Sequence, residues 1–531
     1  MGGGSPRNLR FPVTDMQRTP SSSGVGETDL EPESVCCIYA TGNLRFGSGG
    51  RENYAPGVSL VEDLRGVLSD DRVLEEPVEL YLYSRDSSLM QGRATCVVFP
   101  HTTEEVADVV RVAEKHGVPI IARGAGTGLA AGAIPIDGGI VLSTTSMDEV
   151  EIDVANRTAW VGAGVINLDL TNQAEPYGLC FAPDPSSQSA CTIGGNVANN
   201  SGGAHCLAEG ATTSHVLGLE VVLAGGEILV LGGQAPDMPG LDLKGLIVGS
   251  EGTLGVVTRA LVRLLPIEAD VRTLLLDFDR LSGATKTVSD IIAAGLVPAA
   301  LEIMDQKMTT AVENWLGAGL PTDAAAILLA EVVGDPEGVE AEAELITRIG
   351  RDNGARQVQV AEDERERAVL WKGRKSAFGA VAQVSPNYYL HDTVVPRSRL
   401  VETMEEIEEI AARYQLDVYN VFHAGDGNLH PLMAFDAAEP GMMDRVHKAG
   451  EEMVGACLRR GGALSGEHGI GLEKRDMMRA DFTELDLDAQ ARLKEAFDPD
   501  GIFNPAKVLP EGSRCFDFGG ARREIPDGAW L

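Results

Sequence analysis

The sequence predicts an α+β protein with more than one domain, and three observations lead to this class. At 531 residues the chain is longer than one hydrophobic core usually organises, so we expect two or three domains. Short apolar runs bounded by Gly, Asn and Pro alternate with helical patterns as far as Pro266. Beyond Pro266 the predicted strands and helices change in character, which indicates a second α+β domain with an antiparallel sheet starting at residue 268.

The first elements are predicted between residues 78 and 143. Segment 78–84 (VELYLYS) has the composition of a strand, and we expect order to begin near Val78. A strand at 96–100 precedes a helix that Thr102 caps and Gly117 ends. A strand then runs into a glycine-rich loop, and a further strand is predicted for GIVLST.

Two hairpins and one helix are predicted next, followed by the second region. The hairpins turn at Ala155-Asn156 and at Gly225-Gly226, with a helix near 167–178 between them. In the second region we expect strands at 273–279 and 325–334, a hairpin within 418–435 and an amphipathic helix over 442–460. The implied divisions are a disordered tail at 1–55, domains at 56–267 and 268–511, and a tail at 512–531.

Composition excludes several function classes. Acidic residues number 79 and basic ones 44, a net charge of −35, which argues against binding nucleic acid or anionic lipid. The eight cysteines form no CxxC pair, so neither a zinc ribbon nor an iron–sulfur cluster is expected. The chain shows no apolar run long enough to cross a bilayer and no signal peptide. We therefore expect a cytoplasmic protein, peripheral to a membrane at most through a partner.

Residues 123–128 (RGAGTG) follow a predicted strand as a glycine-rich loop. Such loops let backbone N–H groups approach a phosphate. Residues 126–131 also satisfy GxGxxG/A, but no long helix is predicted after them, so a dinucleotide-binding βαβ unit is not expected. A turn packed tightly between strands remains the alternative.

Two more segments are rich in small residues. Segment 183–203 (PDPSSQSACTIGGNVANNSGG) offers many hydrogen-bonding groups but little apolar area. We therefore expect contacts with a polar ligand to offset the conformational entropy that the segment loses when it becomes ordered. Segment 249–257 (GSEGTLGVV) is the third such loop. Three separate loops of this kind suit a long ligand with phosphates in its middle.

These three motifs resemble the FAD-binding domain of vanillyl-alcohol-oxidase-type flavoproteins. The most similar branch contains a subunit of glycolate oxidase, D-lactate dehydrogenase and D-2-hydroxyglutarate dehydrogenase, and the resemblance spans residues 90–510. It implies a two-subdomain FAD-binding domain at 56–267 and a substrate or cap domain at 268–511. The residues that the resemblance assigns to FAD are Arg123, Gly124, Ala125, Gly126, Thr127, Gly128, Pro183, Asp184, Ser187, Thr192, Gly194, Gly195, Asn199, Ser201, Gly203, Glu251, Gly252, Val257 and Asn504. Because Thr127 and Gly128 stand where some relatives carry a linking histidine, we expect non-covalent FAD.

A histidine constellation lies in two glycine-rich loops. His423 and His430 flank a Gly-Asp-Gly turn, and a hairpin folded there brings them roughly opposite each other. Glu467 and His468 follow in a second loop, and two histidines with one carboxylate are a common zinc set. Solvated turn residues or satisfied core histidines are the alternative. The resemblance implies that His423, His430 and Glu467 bind a divalent metal, with zinc expected, and that His468 is the general base.

Arg374 resembles the arginine that holds the substrate carboxylate, although a surface arginine on a charged helix is the alternative. Two departures from the hydroxyglutarate enzymes weaken the case for a dicarboxylate. Their lysine is replaced in a region that reads Tyr388-Tyr389-Leu390-His391-Asp392, and Leu432 stands where they carry an asparagine. A small monocarboxylate such as glycolate or D-lactate is therefore the expected substrate.

The resulting hypothesis is hydride transfer from a small 2-hydroxy acid to FAD. The expected electron acceptor is a separate protein or quinone, with an iron–sulfur subunit among the candidates, because the glycolate oxidase protein that this chain resembles works beside other subunits. Three alternatives stay open: a D-2-hydroxyglutarate-type dehydrogenase, a non-redox FAD transferase of the alkylglycerone-phosphate synthase kind, and a non-catalytic flavin-binding subunit.

Overall fold

The computed structural model describes residues 59–136, 138–235 and 239–510, so the predicted tails at 1–55 and 512–531 lie outside the described residues. Its α-helices are distributed along the whole of this part of the chain. They are α1 (Leu60–Val67), α2 (Pro77–Leu82), α3 (Thr103–His116), α4 (Asn167–Ala174), α5 (Ile193–Asn199), α6 (Cys206–Glu209), α7 (Leu243–Ile247), α8 (Leu281–Ala293), α9 (Gln306–Leu316), α10 (Pro336–Asp352), α11 (Glu364–Lys375), α12 (Ala377–Val384), α13 (Leu400–Tyr414), α14 (Met442–Leu458), α15 (Met478–Asp481) and α16 (Glu484–Phe497).

A four-stranded sheet opens the fold. Its strands are β1 (Val73–Leu74), β2 (Cys96–Val98), β3 (Ile120–Arg123) and β4 (Ile140–Ser143). In the order β1-β2-β4-β3, strand β1 is antiparallel to β2, whereas β4 is parallel to both β2 and β3. Helix α3 packs its valines against this sheet in a core with Ile120 and Leu142. The sheet thereby fixes the point at which the first glycine loop leaves β3.

An antiparallel sheet of five strands follows. The strands of this region are β5 (Val150–Asp153), β6 (Thr158–Gly162), β7 (Leu179–Cys180), β8 (Val216–Val222), β9 (Ile228–Gly232), β10 (Val256–Arg263) and β11 (Leu265–Pro266). The sheet has the order β5-β6-β10-β8-β9, while β7 and β11 pair separately. Helix α5 packs on it through Ile193 and Val197, which places the second glycine loop over the sheet.

The second half of the chain forms a nine-stranded antiparallel sheet. Its strands are β12 (Asp270–Phe278), β13 (Ala300–Asp305), β14 (Ala326–Gly334), β15 (Ala355–Val360), β16 (Asn387–Leu390), β17 (Thr393–Val394), β18 (Asp417–His423), β19 (Asn428–Leu429) and β20 (Pro431–Phe435). The order is β15-β12-β14-β13-β18-β19-β17, with β20 on β18 and β16 on β20. Leu274 and Leu276 join one core cluster and Leu275 the other, as side chains alternate along a strand. This sheet is therefore buried on both faces.

Most predicted elements are confirmed, and three predictions are wrong. Segment 183–203 is not a loop throughout, because helix α5 forms inside it. Segment 78–84 is not a strand, because Pro77 starts helix α2 and Glu76 and Glu79 form a capping box around its first turn. Order also begins before Val78, since helix α1 starts at Leu60 after the Ser59 cap. Thr102 caps α3 as predicted, and Gly117 ends it in the left-handed conformation. Among the described helices, none combines the length and apolar character needed to span a membrane.

Candidate active site

A cavity of about 440 Å³ lies where the three small-residue loops meet two loops from the second half of the chain. This volume is typical of small-molecule sites. Most of the residues assigned to FAD line it: Arg123, Gly124, Ala125, Gly126, Thr127, Gly128, Ser187, Thr192, Gly194, Gly195, Asn199, Ser201, Glu251, Gly252 and Val257. His430, Glu467 and His468 line the same cavity. The two groups of predicted residues, far apart in sequence, thus face one space.

The first loop continues strand β3 without forming a helix. Gly126 has φ 73°, a left-handed conformation that favours glycine. The backbone N–H of Ser87 donates to the Gly128 carbonyl (3.0 Å) and anchors the far end of the loop. A side chain at Gly128 would meet no protein atom within 4 Å, so the chain leaves space beside the backbone here.

The second loop feeds directly into helix α5. The Thr192 hydroxyl caps this helix by accepting from the Gly195 N–H (3.2 Å). Gly194 lies so close to the end of β6 that a Cβ atom there would be 2.6 Å from the Ala163 Cβ. Close packing of α5 on the sheet therefore requires glycine at this position.

Glu251 of the third loop joins both halves of the chain. It is buried, and its carboxylate accepts from the N–H groups of Ile470 (2.6 Å) and Gly471 (2.7 Å). Asn504 lies behind it and donates to the Glu251 carbonyl (2.7 Å) and the Gly132 carbonyl (2.9 Å). Glu251 and Asn504 therefore hold the third loop against the loop that carries His468.

His423 and His430 meet across the hairpin, although not in the predicted register. The residue directly opposite His423 is Asn428, because the turn spans only the four residues 424–427. His430 lies two residues further along, and the ring centroids are 5.1 Å apart on a diagonal. Glu467 Oε1 is 3.2 Å from His423 Nε2 and 3.4 Å from His430 Nε2. The three side chains form a compact, largely buried ligand set.

Glu302, in the middle of strand β13, holds His423 from behind. Its Oε1 lies 2.7 Å from His423 Nδ1, which leaves Nε2 directed at Glu467. Burial opposes a charged imidazole, but Glu302 and Glu467 raise the pKa of His423 to about 10. Neither ring nitrogen of His430 makes a hydrogen bond to the described residues. A carboxylate behind one ligand and unsatisfied nitrogens on another fit a metal ion.

Asp392 organises the loop of Glu467 and His468. It is fully buried and accepts from the N–H groups of Gly466 (3.0 Å), Glu467 (3.2 Å) and His468 (2.9 Å). Lys474 Nζ, 1% exposed, neutralises it at 3.2 Å. Burial opposes the Asp392 carboxylate, yet Lys474 holds its pKa well below the usual range. The loop backbone is thus fixed by one internal ion pair.

His468 stacks on His430, with ring centroids 5.1 Å apart and planes at 17°. Its carbonyl accepts from the side chain of Asn199 (2.9 Å), which ties it to the second glycine loop. Burial lowers the pKa of His468 to about 4, in spite of the opposing effect of Asp392. The imidazole is therefore neutral near pH 7 and able to accept a proton.

Six predicted site residues do not line the cavity: Pro183, Asp184, Gly203, Arg374, His423 and Asn504. Arg374 is 3% exposed, and its Nε and Nη2 contact Glu302 Oε2 at 2.7 and 2.6 Å. It lies behind His423, with Nη2 3.4 Å from His423 Nδ1. Its predicted role as a carboxylate ligand stays a prediction, because this structure places its guanidinium on Glu302.

Comparisons with known proteins identify the family. Residues 94–232 match the FAD binding domain model, and residues 267–508 match the model for the C-terminal domain of FAD linked oxidases. The glycolate oxidase subunit GlcD of Escherichia coli K12 is 44% identical over 87% of this chain and 93% of its own length. The chain belongs to the FAD-linked oxidases. A D-lactate dehydrogenase of Archaeoglobus fulgidus is 34% identical over 82% of this chain and 96% of its own.

Solved structures agree with this membership at the level of fold. A structure of p-cresol methylhydroxylase superposes with a TM-score of 0.73 and 17% identity, covering 85% of this chain and 96% of that one. This FAD-linked oxidase therefore has the predicted fold, an α+β protein of the vanillyl-alcohol-oxidase type.

Sequence reasoning missed several residues of this oxidase's site. Glu302 and Asp392 orient the histidine cluster, and Lys375 lines the cavity beside the predicted residues. A glutamate inside the apolar strand ALEIMD was one available signal, because an unpaired charge is rarely buried. Nothing comparable distinguishes Lys375, whose neighbours on α11 are largely charged.

Proposed function

We propose that this FAD-linked oxidase oxidises a small 2-hydroxy acid, glycolate or D-lactate, to the 2-oxo acid. One observation carries the proposal: His468 and the cluster of His423, His430 and Glu467 adjoin the same cavity as the glycine loops. A base, a ligand set for a cation and a dinucleotide site are the parts that such an oxidation needs. The names of the relatives, glycolate oxidase subunit and D-lactate dehydrogenase, support the same substrate class.

The loops fit FAD held without a covalent bond. Their glycines leave backbone exposed to the cavity, and no histidine stands at Thr127 or Gly128 to form a link. The bound flavin would accept the Cα hydride, while a divalent ion on His423, His430 and Glu467, with zinc expected, would lower the pKa of the substrate hydroxyl. For zinc, two imidazoles and one carboxylate are a common donor set with a position left open.

His468 is the proposed general base. It lines the cavity, is neutral near pH 7 and is held at its backbone by Asp392 and Asn199. Its stacking on His430 places it beside the residues proposed to hold the substrate hydroxyl. Taking that proton is its proposed contribution, and positioned base catalysis typically supplies about 10²–10⁴ in rate.

The positions that depart from the hydroxyglutarate enzymes favour a small acid. Leu390 and Leu432 are register partners on β16 and β20, and both are buried in the same core cluster. Leu432, which stands where those enzymes carry an asparagine, therefore offers no polar contact to a second carboxylate. A monocarboxylate with a small substituent is therefore the proposed substrate.

The electron acceptor is proposed to be a separate component. The relatives named GlcD are subunits of glycolate oxidase, which supports a partner protein, and an iron–sulfur subunit or a quinone would serve. Cytoplasmic location, peripheral to a membrane at most, stays a prediction.

The test is anaerobic reduction of the protein-bound flavin by a panel of 2-hydroxy acids. Glycolate or D-lactate should bleach the flavin faster than D-2-hydroxyglutarate does. Faster bleaching by D-2-hydroxyglutarate would move the enzyme to that dehydrogenase class. If no acid reduces the flavin, two of the alternatives remain: a non-redox FAD transferase and a non-catalytic flavin-binding subunit.

A further inference from the structure

The cavity contains one lysine whose role the proposed function does not use. Among the described residues that line it, Arg123 and Lys375 carry permanent positive charge. Arg123 belongs to the first glycine loop and lies over the Tyr83 ring, 5.6 Å from its centroid. Lys375 ends helix α11, in the half of the chain that supplies the histidines. The two cations therefore lie on different elements of the site.

Lys375 is held in place by a row of charged and aromatic side chains. Its Nζ is 5.7 Å from the Trp371 ring centroid and 3.7 Å from Asp184 Oδ2. The Trp371 indole N–H donates to Glu331 Oε2 (2.6 Å). His205 lies between the two carboxylates, with Nδ1 2.9 Å from Asp184 and Nε2 3.5 Å from Glu331. We call Asp184, His205, Glu331, Trp371 and Lys375 the lysine row.

The row leaves the ammonium group of Lys375 available. Asp184 is engaged by the His205 ring and by the His205 backbone N–H (3.3 Å). At 3.7 Å, Lys375 Nζ is beyond hydrogen-bond distance of that carboxylate. No hydrogen-bond acceptor for Nζ is found in the part of the chain that the structure describes, and its side chain is 35% exposed. Its three N–H donors are thus free to meet a ligand.

The neighbouring arginine is not available in the same way. Two nitrogens of Arg374 lie on Glu302, and its side chain is outside the cavity lining. If the Arg374 guanidinium left Glu302, a buried ion pair would be broken and Glu302 Oε2 would lose both of its contacts to Arg374, which is costly. Lys375 needs no such rearrangement.

We propose that Lys375 binds the carboxylate of the substrate and so makes the enzyme selective for acids over neutral alcohols. This inference rests on the proposed function, since it places the substrate with its hydroxyl at His468 and its carboxylate at the lysine row. An ammonium group binds a carboxylate as a compact charge, which suits a small acid with few other contacts.

The experiment compares Lys375→Met with Lys372→Met in the FAD-loaded protein. Lys372 is an exposed lysine on the same helix and serves as the matched control. Flavin reduction is followed anaerobically across glycolate concentrations, to separate the dissociation constant from the limiting rate, and is repeated with glycolamide, which lacks the charge. FAD content and melting temperature are measured for each variant.

We expect Lys375→Met to raise the dissociation constant for glycolate about 10- to 100-fold, the range for losing a hydrogen bond between charged groups. The limiting rate, the FAD content and any reaction with glycolamide should change little. Lys375→Arg should recover part of the affinity, and Lys372→Met should match the wild type. A wild-type affinity in Lys375→Met would overturn the inference while leaving the proposed function intact. If wild-type flavin is reduced by no 2-hydroxy acid, the proposed function itself fails, and the inference with it.

Discussion

The cavity has two walls of opposite character. The glycine wall consists of residues 123–128, 192–201 and 250–257, in which backbone groups and small side chains face the cavity. The charged wall consists of Lys375, His430, Glu467 and His468, and the buried Asp392 fixes the backbone that carries Glu467 and His468. The first wall is shaped by where the backbone runs, and the second by which charges neutralise one another. Binding of the dinucleotide and chemistry on the substrate should therefore be separable by mutation.

The largest difference between the effect on catalysis and the effect on FAD binding is expected for a substitution of His468. His468→Asn should slow flavin reduction by the substrate about 10²- to 10⁴-fold, because positioned base catalysis is lost. FAD content should stay unchanged, since the ring of His468 lies on the charged wall. Stopped-flow absorbance measures the rate, and the exposed His101→Asn is the control. Full turnover by His468→Asn would show that another group takes the proton.

A smaller effect, on metal affinity, is expected for Glu302, which contacts His423 behind the charged wall. Glu302→Gln should weaken zinc affinity about 10- to 100-fold, because the carboxylate that orients His423 is removed. Metal content and competition with a chelator measure this change, with melting temperature followed in parallel because Arg374 also loses its partner. The exposed Glu340→Gln is the control. Equal zinc affinity in both variants would contradict the orienting role of Glu302, and a wild-type protein that binds no zinc would contradict the metal assignment.

A substitution in the glycine wall should instead affect stability and FAD binding. Gly194→Ala should lower the free energy of unfolding by about 1–3 kcal/mol through overpacking against Ala163, and weaken FAD binding with it. Urea unfolding and FAD titration measure the two effects. Gly66→Ala, in helix α1 with no atom within 4 Å of an added Cβ, should be neutral or stabilising. If the two variants behaved alike, close packing of α5 would not matter.

The smallest effect concerns pH and the lysine row. Burial alone would lower the pKa of His205, but Asp184 and Glu331 raise it to about 10. Because the folded-state pKa is raised, the stabilisation by His205 is complete below about pH 6.5 and is lost as pH rises through about 10. Unfolding free energies of the wild type and His205→Gln should therefore converge between these values. A constant difference across this range would contradict a charged His205.

The glycine wall could be predicted from local sequence, because a motif such as GTG or IGGN specifies its own backbone geometry. Most residues assigned to FAD do line the cavity, although helix α5 (Ile193–Asn199) forms inside a segment that was predicted to be a loop. The α2 helix was missed because the capping pair Glu76 and Glu79 outweighs the strand propensity of VELYLYS. Glu302, Asp392 and Lys375 could not be foreseen in the same way. Their roles depend on partners more than 40 residues distant in the chain, which only the folded sheet brings into contact.

The measurement that tests the central claim most directly compares flavin bleaching by glycolate with bleaching by glycolate deuterated at Cα, without oxygen. Oxidation at the charged wall predicts that the protein-bound flavin loses its colour and that the deuterated acid bleaches it more slowly, because the Cα–H bond breaks in that step. A flavin that stays oxidised with both acids, and with D-lactate, would contradict the account.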